Sequence, residues 1–396
     1  MAVALVNGRV LGEAGFLEGR AVLLEGDRIE DVVPDDDPRC ARAEQRDLGG
    51  CLLLPGFVDT QVNGGGGVLF NAEPSVAAIR AIGRAHRRFG TTGFLPTLIS
   101  DDLDVVARAL EAVRSAMDAG VPGVLGIHIE GPYLNVARKG VHNSKKLRGL
   151  DESAIGLLTS LDRGRTLVTL APEMTTPGII SKLSSAGVVV SAGHTNATYG
   201  EIRAALGHGL TGFTHLFNAM SQLTARAPGV VGAALEDPES WCGIIVDGRH
   251  VDPAVLRIVL RCKRHDRFML VTDAMPSVGA AEKSFSLQGR MISVSDGVLV
   301  DEEGTLAGSD TDMATTVRNA IALLGLDLPE AARMASRYPA EFLGLGGELG
   351  RIAPRYRANL VLVDDQIAVR ETWIDGRPSG LEPGDQQVPE PPRRLG

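Results

Sequence analysis

The chain has 396 residues, 44% of them hydrophobic, enough for a large core that one α/β barrel could absorb. Its 40 basic and 49 acidic residues leave a net charge of −9, which argues against a general nucleic-acid or acidic-membrane binder but not against a small anion met by local cations. Four distant cysteines (Cys40, Cys51, Cys242, Cys262) form neither a disulfide framework nor a thiolate metal site and read as buried, reduced thiols. The opening MAVALVNGRV lacks a basic n-region and its apolar run is too short for a signal peptide. No segment reaches the ~18 apolar residues of a spanning helix, so the expectation is a soluble cytoplasmic protein.

In chain order, the first fifty residues read as short strands punctuated by Asn7-Gly8 and Glu25-Gly26-Asp27. Eight runs then follow: CLLLPGFVDT (51–60), GTTGFLPT (90–97), GVLGIHIE (123–130), TLVTLAPE (166–173), GVVVSAGH (187–194), GFTHLFN (212–218), CGIIVDG (242–248) and RFMLVTDA (267–274). They are apolar throughout, as strands buried on both faces are. Stretches of helical period follow them: Val76–Phe89, Leu103–Met117, Glu152–Leu161, Gly178–Ser185, Tyr199–Gly207, Pro253–His265 and Met313–Leu324. The sixth unit, at 219–241, is rich in Pro and Gly and shows no clear helix.

Eight strand–helix units predict an α/β fold: a (β/α)₈ TIM-type barrel over 54–344, with an antiparallel flap near 284–306. A doubly wound sheet finds no GxGxxG to support it. The β segments 1–53 and 345–380 predict one composite β-sandwich domain, and the Pro-rich residues 381–396 a disordered tail.

In such barrels the chemistry sits at the C-terminal ends of the strands. There stand Asp59 with Gln61 and Asn63, His128 with Glu130, Glu173, His194, His215, Asp247 with His250, and Asp273. Of the eight histidines, four (His128, His194, His215, His250) fall at or just after strand ends. Glu130, His194 and His215 make a two-His, one-carboxylate set suited to Zn²⁺ with a position left for water; Fe²⁺ or another first-row ion fits the same donors. Asp273 can accept a proton from an activated water and deliver it to a leaving group. His142 can hydrogen-bond a polarised carbonyl, and His128 reads as a core residue or one behind the ligands. The absence of GxSxG, Walker and HExxH motifs excludes serine hydrolases, P-loop enzymes and thermolysin-like enzymes. The Gly64–Gly67 run reads as a flexible loop.

LLPGFVDTQVNGGGG, HIEGPYLN, KGVHN, SAGHTNAT, THLFNAM, DGRHVD and LVTDAM occur in an order and spacing that resembles the N-acetylglucosamine-6-phosphate deacetylase family of the amidohydrolase superfamily, from about Leu5 to Asp375. The resemblance implies hydrolysis of the acetamide of N-acetyl-D-glucosamine 6-phosphate to D-glucosamine 6-phosphate and acetate. Glu130, His194 and His215 would bind the metal, with Asp273 as proton acceptor and donor. His142 and Val141 would contact the acetamide. Asn218, Ala219, Arg226, the turn Asp247, Gly248, Arg249 and His250, and the strip Leu306, Ala307 and Gly308 would line the sugar phosphate. Gln61 and Asn63 replace the His-x-His that binds a second metal in many superfamily members, which favours one divalent ion per subunit, zinc first and iron second. None of the six lysines lies near LAPEMT to bridge a metal pair, and Asp310 and Asp312 depart from the family's Thr-rich sequence. A homodimer is also implied, with phosphate contacts that could cross its interface. Rival readings are N-acetylgalactosamine-6-phosphate deacetylase and a non-catalytic sugar-phosphate-binding regulator.

Overall fold

The computed structural model describes residues 2–295 and 298–380, so the tail expected over 381–396 lies outside the described residues. Eight parallel strands follow one another in chain order: Phe57–Val62, Thr91–Ile99, Gly126–Glu130, Arg165–Leu170, Val189–Ala192, Leu210–Phe213, Trp241–Ile244 and Phe268–Leu270. The ring meets where Val62 bridges Ala274 in parallel and the Thr272 hydroxyl donates to Asp59 at 2.5 Å. This is the expected TIM-type barrel.

The run 51–60 is two strands, not one. Leu52–Pro55 pairs with Leu360–Val363 in a side sheet, and Phe57–Val62 opens the barrel. Gly56 between them passes so close to Thr92 that a Cβ would lie 2.1 Å from its hydroxyl, so only glycine permits this passage.

Helices flank the ring because one face of each is apolar. In Leu103–Asp118 the buried residues Val106, Ala109, Leu110, Val113 and Ala116 recur at helical spacing. Tyr199–Leu206 starts at a capping box of Thr198 and Glu201. Two expectations are corrected. Residues 152–161 hold only a 3₁₀ turn and the short helix Ile155–Leu158, ended where the Thr159 hydroxyl takes the Ile155 carbonyl. The sixth unit does contain a helix, Gly229–Glu236, in which burial of Val230, Val231, Ala233 and Ala234 overrides two glycines.

Inside the barrel the layers differ in polarity. Val58, Leu95, Leu125, Leu167 and Met269 form an apolar cluster with Phe342. A hydroxyl layer follows: His128 bonds Thr97 (3.3 Å) and Thr169 (2.8 Å), and Thr214 bonds Thr169 (2.6 Å) and Ser191 (2.8 Å). With both ring nitrogens so occupied, His128 is a core residue; burial drives its pKa down to about 4, keeping it neutral.

Beside the barrel lie two sheets. One has six strands, three from the N-terminal segment (Phe16–Leu17, Arg9–Leu11, Leu52–Pro55) and three from the C-terminal one (Leu360–Val363, Val369–Ile374, Arg377–Pro378), the two halves meeting where Leu52–Pro55 pairs with Leu360–Val363. The other contains Arg28–Pro34, Arg20–Glu25, Val3–Val6 and Glu44–Asp47. Leu5, Val22, Leu24, Leu53, Leu360 and Trp373 share a core between them. The flap is a three-stranded antiparallel sheet, Ser284–Leu287, Arg290–Ser295 and Val298–Val300. No described helix is long and apolar enough to cross a membrane. All four cysteines are free, but Cys262 is exposed and Cys51 half-buried, contrary to the expectation of buried thiols.

Candidate metal and active site

Glu130 ends the third barrel strand, while His194 and His215 lie two residues beyond the fifth and sixth. All three are buried, and Glu130 Oε1 lies 3.1 Å from His194 Nε2 and 2.9 Å from His215 Nε2. The two Nε2 atoms are 3.1 Å apart. His194 Nδ1 lies 2.9 Å from the Arg138 carbonyl, to which it must donate, so in the neutral ring its Nε2 turns a lone pair toward the carboxylate, and only the imidazolium can donate to it. Facing lone pairs repel unless a proton or a cation lies between them. The donors therefore fit a divalent metal ion, and their oxygen and nitrogen atoms all fall within 4.8 Å of one another.

The charges follow from burial and pairing. Burial alone would raise Glu130, but hydrogen bonds from His194 and His215 hold it well below the usual carboxylate range. Burial would lower His215, but its hydrogen bond to Glu130 raises it.

Asp273 lies three residues past the eighth strand. Burial, then the Glu130 charge, pushes its pKa up to about 6. Asn63 Nδ2 donates to Asp273 Oδ1 at 2.7 Å, and Gln61 Nε2 donates to the same oxygen at 3.0 Å and to Glu130 Oε2 at 3.2 Å. The two amides thus aim N–H groups at the carboxylates. His194, Asp273 and His215 all adopt positive φ (48°, 52° and 33°). Such backbone strain concentrates where a fold holds side chains for function.

A cavity of about 350 Å³ opens over this cluster. Of the expected substrate contacts, Val141, His142, Asn218, Ala219, His250, Leu306 and Gly308 line it. Others do not. Ala307 is fully buried among the flap's core residues. Asp247 instead braces His250, accepting from its Nδ1 at 2.6 Å and from the Arg249 and His250 amides; against burial, this contact with His250 lowers its pKa. Gly248 and Arg249 complete that turn without lining the cavity, and Arg226, on an exposed loop, does not line it either. Arg138, which sequence reasoning passed over, does line it. Its only sequence signal was its place between HIEGPYLN and KGVHN.

His142 is buried, its Nδ1 2.7 Å from the Ser100 hydroxyl; burial, then the His194 charge, drives its pKa well below the ordinary value. Glu173 accepts from Asn135, Thr195 and the Asn196 amide, which makes it a loop brace. Asp59, pushed up to about 7 by burial, faces Thr272 across the barrel seam. Asp312 caps the helix Met313–Leu324 and Asp310 pairs with Lys283. The glycine run is no flexible loop: Gly64–Gly65 pairs with Val68–Leu69, and Gly64, Gly66 and Gly67 donate to carbonyls of residues 274–278.

The amidohydrolase family pattern matches residues 52–380. The chain belongs to the amidohydrolase family. It is 45% identical over 324 residues to an N-acetylgalactosamine-6-phosphate deacetylase of Shewanella sp. (strain ANA-3), covering 82% of each chain. It is 35% identical over 380 residues to the N-acetylglucosamine-6-phosphate deacetylase of Haemophilus influenzae, covering 95% of this chain and 99% of that one. The crystal structure of N-acetylglucosamine-6-phosphate deacetylase from Pasteurella multocida superposes with a TM-score of 0.92 at 36% identity, over 96% of this chain and 99% of that one. As a family member, this protein carries a buried Glu–His–His cluster able to hold a metal.

Proposed function

We propose that this chain hydrolyses the acetamide of N-acetyl-D-glucosamine 6-phosphate to D-glucosamine 6-phosphate and acetate, using one divalent ion per chain, zinc first and iron second. One observation carries the reading: Glu130, His194 and His215 converge, buried, beside an aspartate whose pKa is raised to about 6. The names of the relatives agree with it. Gln61 and Asn63 support a single ion, because both amides are committed as donors to Glu130 and Asp273. Presence of all three ligands and of Asp273 speaks against a non-catalytic regulator.

Glu130, His194 and His215 would hold the ion. When bound, it supplies Lewis acidity, which lowers the pKa of a water and polarises a carbonyl. Asp273 accepts the proton of the attacking water as the carbon–oxygen bond forms, and returns it to nitrogen as the carbon–nitrogen bond breaks. Gln61 and Asn63 hold the Asp273 carboxylate in place for both transfers. His142, neutral and lining the cavity, has its Nδ1 toward Ser100 and leaves Nε2 to donate to the acetamide oxygen as charge develops there.

For the phosphate, His250 and Asn218 line the cavity. Arg226, exposed and off that cavity, fits a homodimer in which it reaches the partner's substrate. A second reading, N-acetylgalactosamine 6-phosphate as substrate, is favoured by the name of the 45% identical relative.

The test is acetate release from both 6-phosphorylated N-acetyl sugars and their unphosphorylated forms, with metal content measured on the same sample. Release confined to the 6-phosphates, with one ion per chain, is expected, and the kcat/KM ratio decides the sugar. Equal activity on unphosphorylated N-acetylglucosamine would overturn the reading.

A further inference from the structure

A larger cleft, about 700 Å³, opens between the helix Val76–Arg87 and the side-sheet strand Val369–Ile374. Val121 and Pro122, which precede the third barrel strand, form part of its wall. It therefore opens at the end where barrel strands begin, opposite the mouth that holds Glu130 and Asp273. Arg80, Arg84, Arg87 and Arg88 all line it. Their spacing, with Gly83 between, puts them on one face at and just beyond the helix.

Among the described residues, the arginines of this cleft outnumber its carboxylates. Its carboxylate, Glu371, is taken by Arg46 at 2.7 Å, and Arg370 pairs with Asp364. Among the described residues Arg80, Arg84 and Arg88 have no ion-pair partner. Arg87 is half-buried and held by neutral groups: it donates to the Thr372 hydroxyl at 3.0 Å and to the Arg377 carbonyl at 2.7 Å. Those bonds fix its guanidinium without neutralising it. Like charges one turn apart destabilise a helix. The helix dipole offsets this only in the last turn, so it does not account for Arg80.

We propose that this cleft binds a small molecule carrying a di- or triphosphate. Successive arginines one turn apart are separated by about 6 Å along the axis, more than one phosphate occupies and within reach of a chain of two or three. Each guanidinium presents a fork that matches phosphate oxygens. The volume lies in the range of small-molecule pockets. The net charge of −9 opposes a long polyanion such as nucleic acid, whose binding needs a broad positive field.

Titration calorimetry on the full chain, at physiological ionic strength, with ATP and with inorganic tripolyphosphate, tests this independently of the deacetylase reading. One saturable site per chain is expected for both probes, with Kd below about 1 mM. The double variant R84A/R88A, and separately Arg80→Glu, should weaken it at least ~10-fold while leaving deacetylation without polyphosphate unchanged. Three results would overturn the proposal: no saturable binding by the full chain, equal binding by the folded variants, or affinity that rises with the length of an added oligonucleotide. So would binding that appears only in a chain ended at Gly380, since Glu382, Asp385 and Glu390 beyond it would then be the occupants.

Discussion

Asp273 carries the largest single consequence. Asp273→Asn preserves size and can still hydrogen-bond, but cannot hold the transferred proton. We expect kcat to fall by at least ~10³-fold with metal content unchanged; metal analysis and steady-state kinetics on one sample check this. The pH profile follows from its raised pKa. Asp273 must be ionised to accept a proton, and burial with the Glu130 charge raises its pKa to about 6. Activity should therefore be full above that value and fall as pH drops through it. A nearby divalent cation favours the ionised form, so in the loaded enzyme the acidic limb of kcat/KM is expected at or below about pH 6. The ligand residues were legible in the sequence because strand ends and histidines coincide there. The tasks of Gln61 and Asn63 were not. A sequence shows amides where other family members have imidazoles, but not that both amides point N–H groups at one aspartate 210 and more residues away. Arg138 escaped for a similar reason, since only the folded loop brings it to the cavity.

Among the elements, the flap is tied directly to the loops of the site. Gln288, in its first turn, donates to the Ser100 carbonyl at 2.6 Å and accepts from the Asn143 amide at 3.1 Å. One side chain thus ties the flap to both loops that carry His142 and its partner hydroxyl. Gln288→Ala should lower kcat/KM about 10-fold, the scale seen when a group behind the reacting residues is lost, without loss of bound metal. Gln288→Glu, which lacks the donor to Ser100, should behave similarly. The flap was expected near 284–306 from the sequence, whereas this clasp depends on a turn geometry with no sequence signature. The helix Gly229–Glu236 was hidden for a different reason, its glycines masking a face that only tertiary burial makes helical. The divided run at Gly56 was hidden by continuity: both halves are apolar, and nothing in composition says they serve different sheets.

For the whole molecule, stability couples the side sheets to the barrel. Trp373 is buried between the sheets beside Leu53 and Leu360, one step of chain from the barrel through Gly56. Trp373→Ala should cost about 3–5 kcal/mol, read as a lower denaturant midpoint. The strand Leu52–Pro55 lies between Arg9–Leu11, made early, and Leu360–Val363, made some three hundred residues later. During synthesis that edge therefore waits, with its hydrogen-bonding groups unclaimed, while all eight barrel strands are produced. Contacts so distant in sequence form slowly, and an open edge is a template for other chains. A chain stopped before Leu360 would keep that edge open permanently. It should emerge from the ribosome able to close its barrel yet sediment as aggregate, and its recovery in the soluble fraction at the full-length level would show that the last strands are dispensable for solubility.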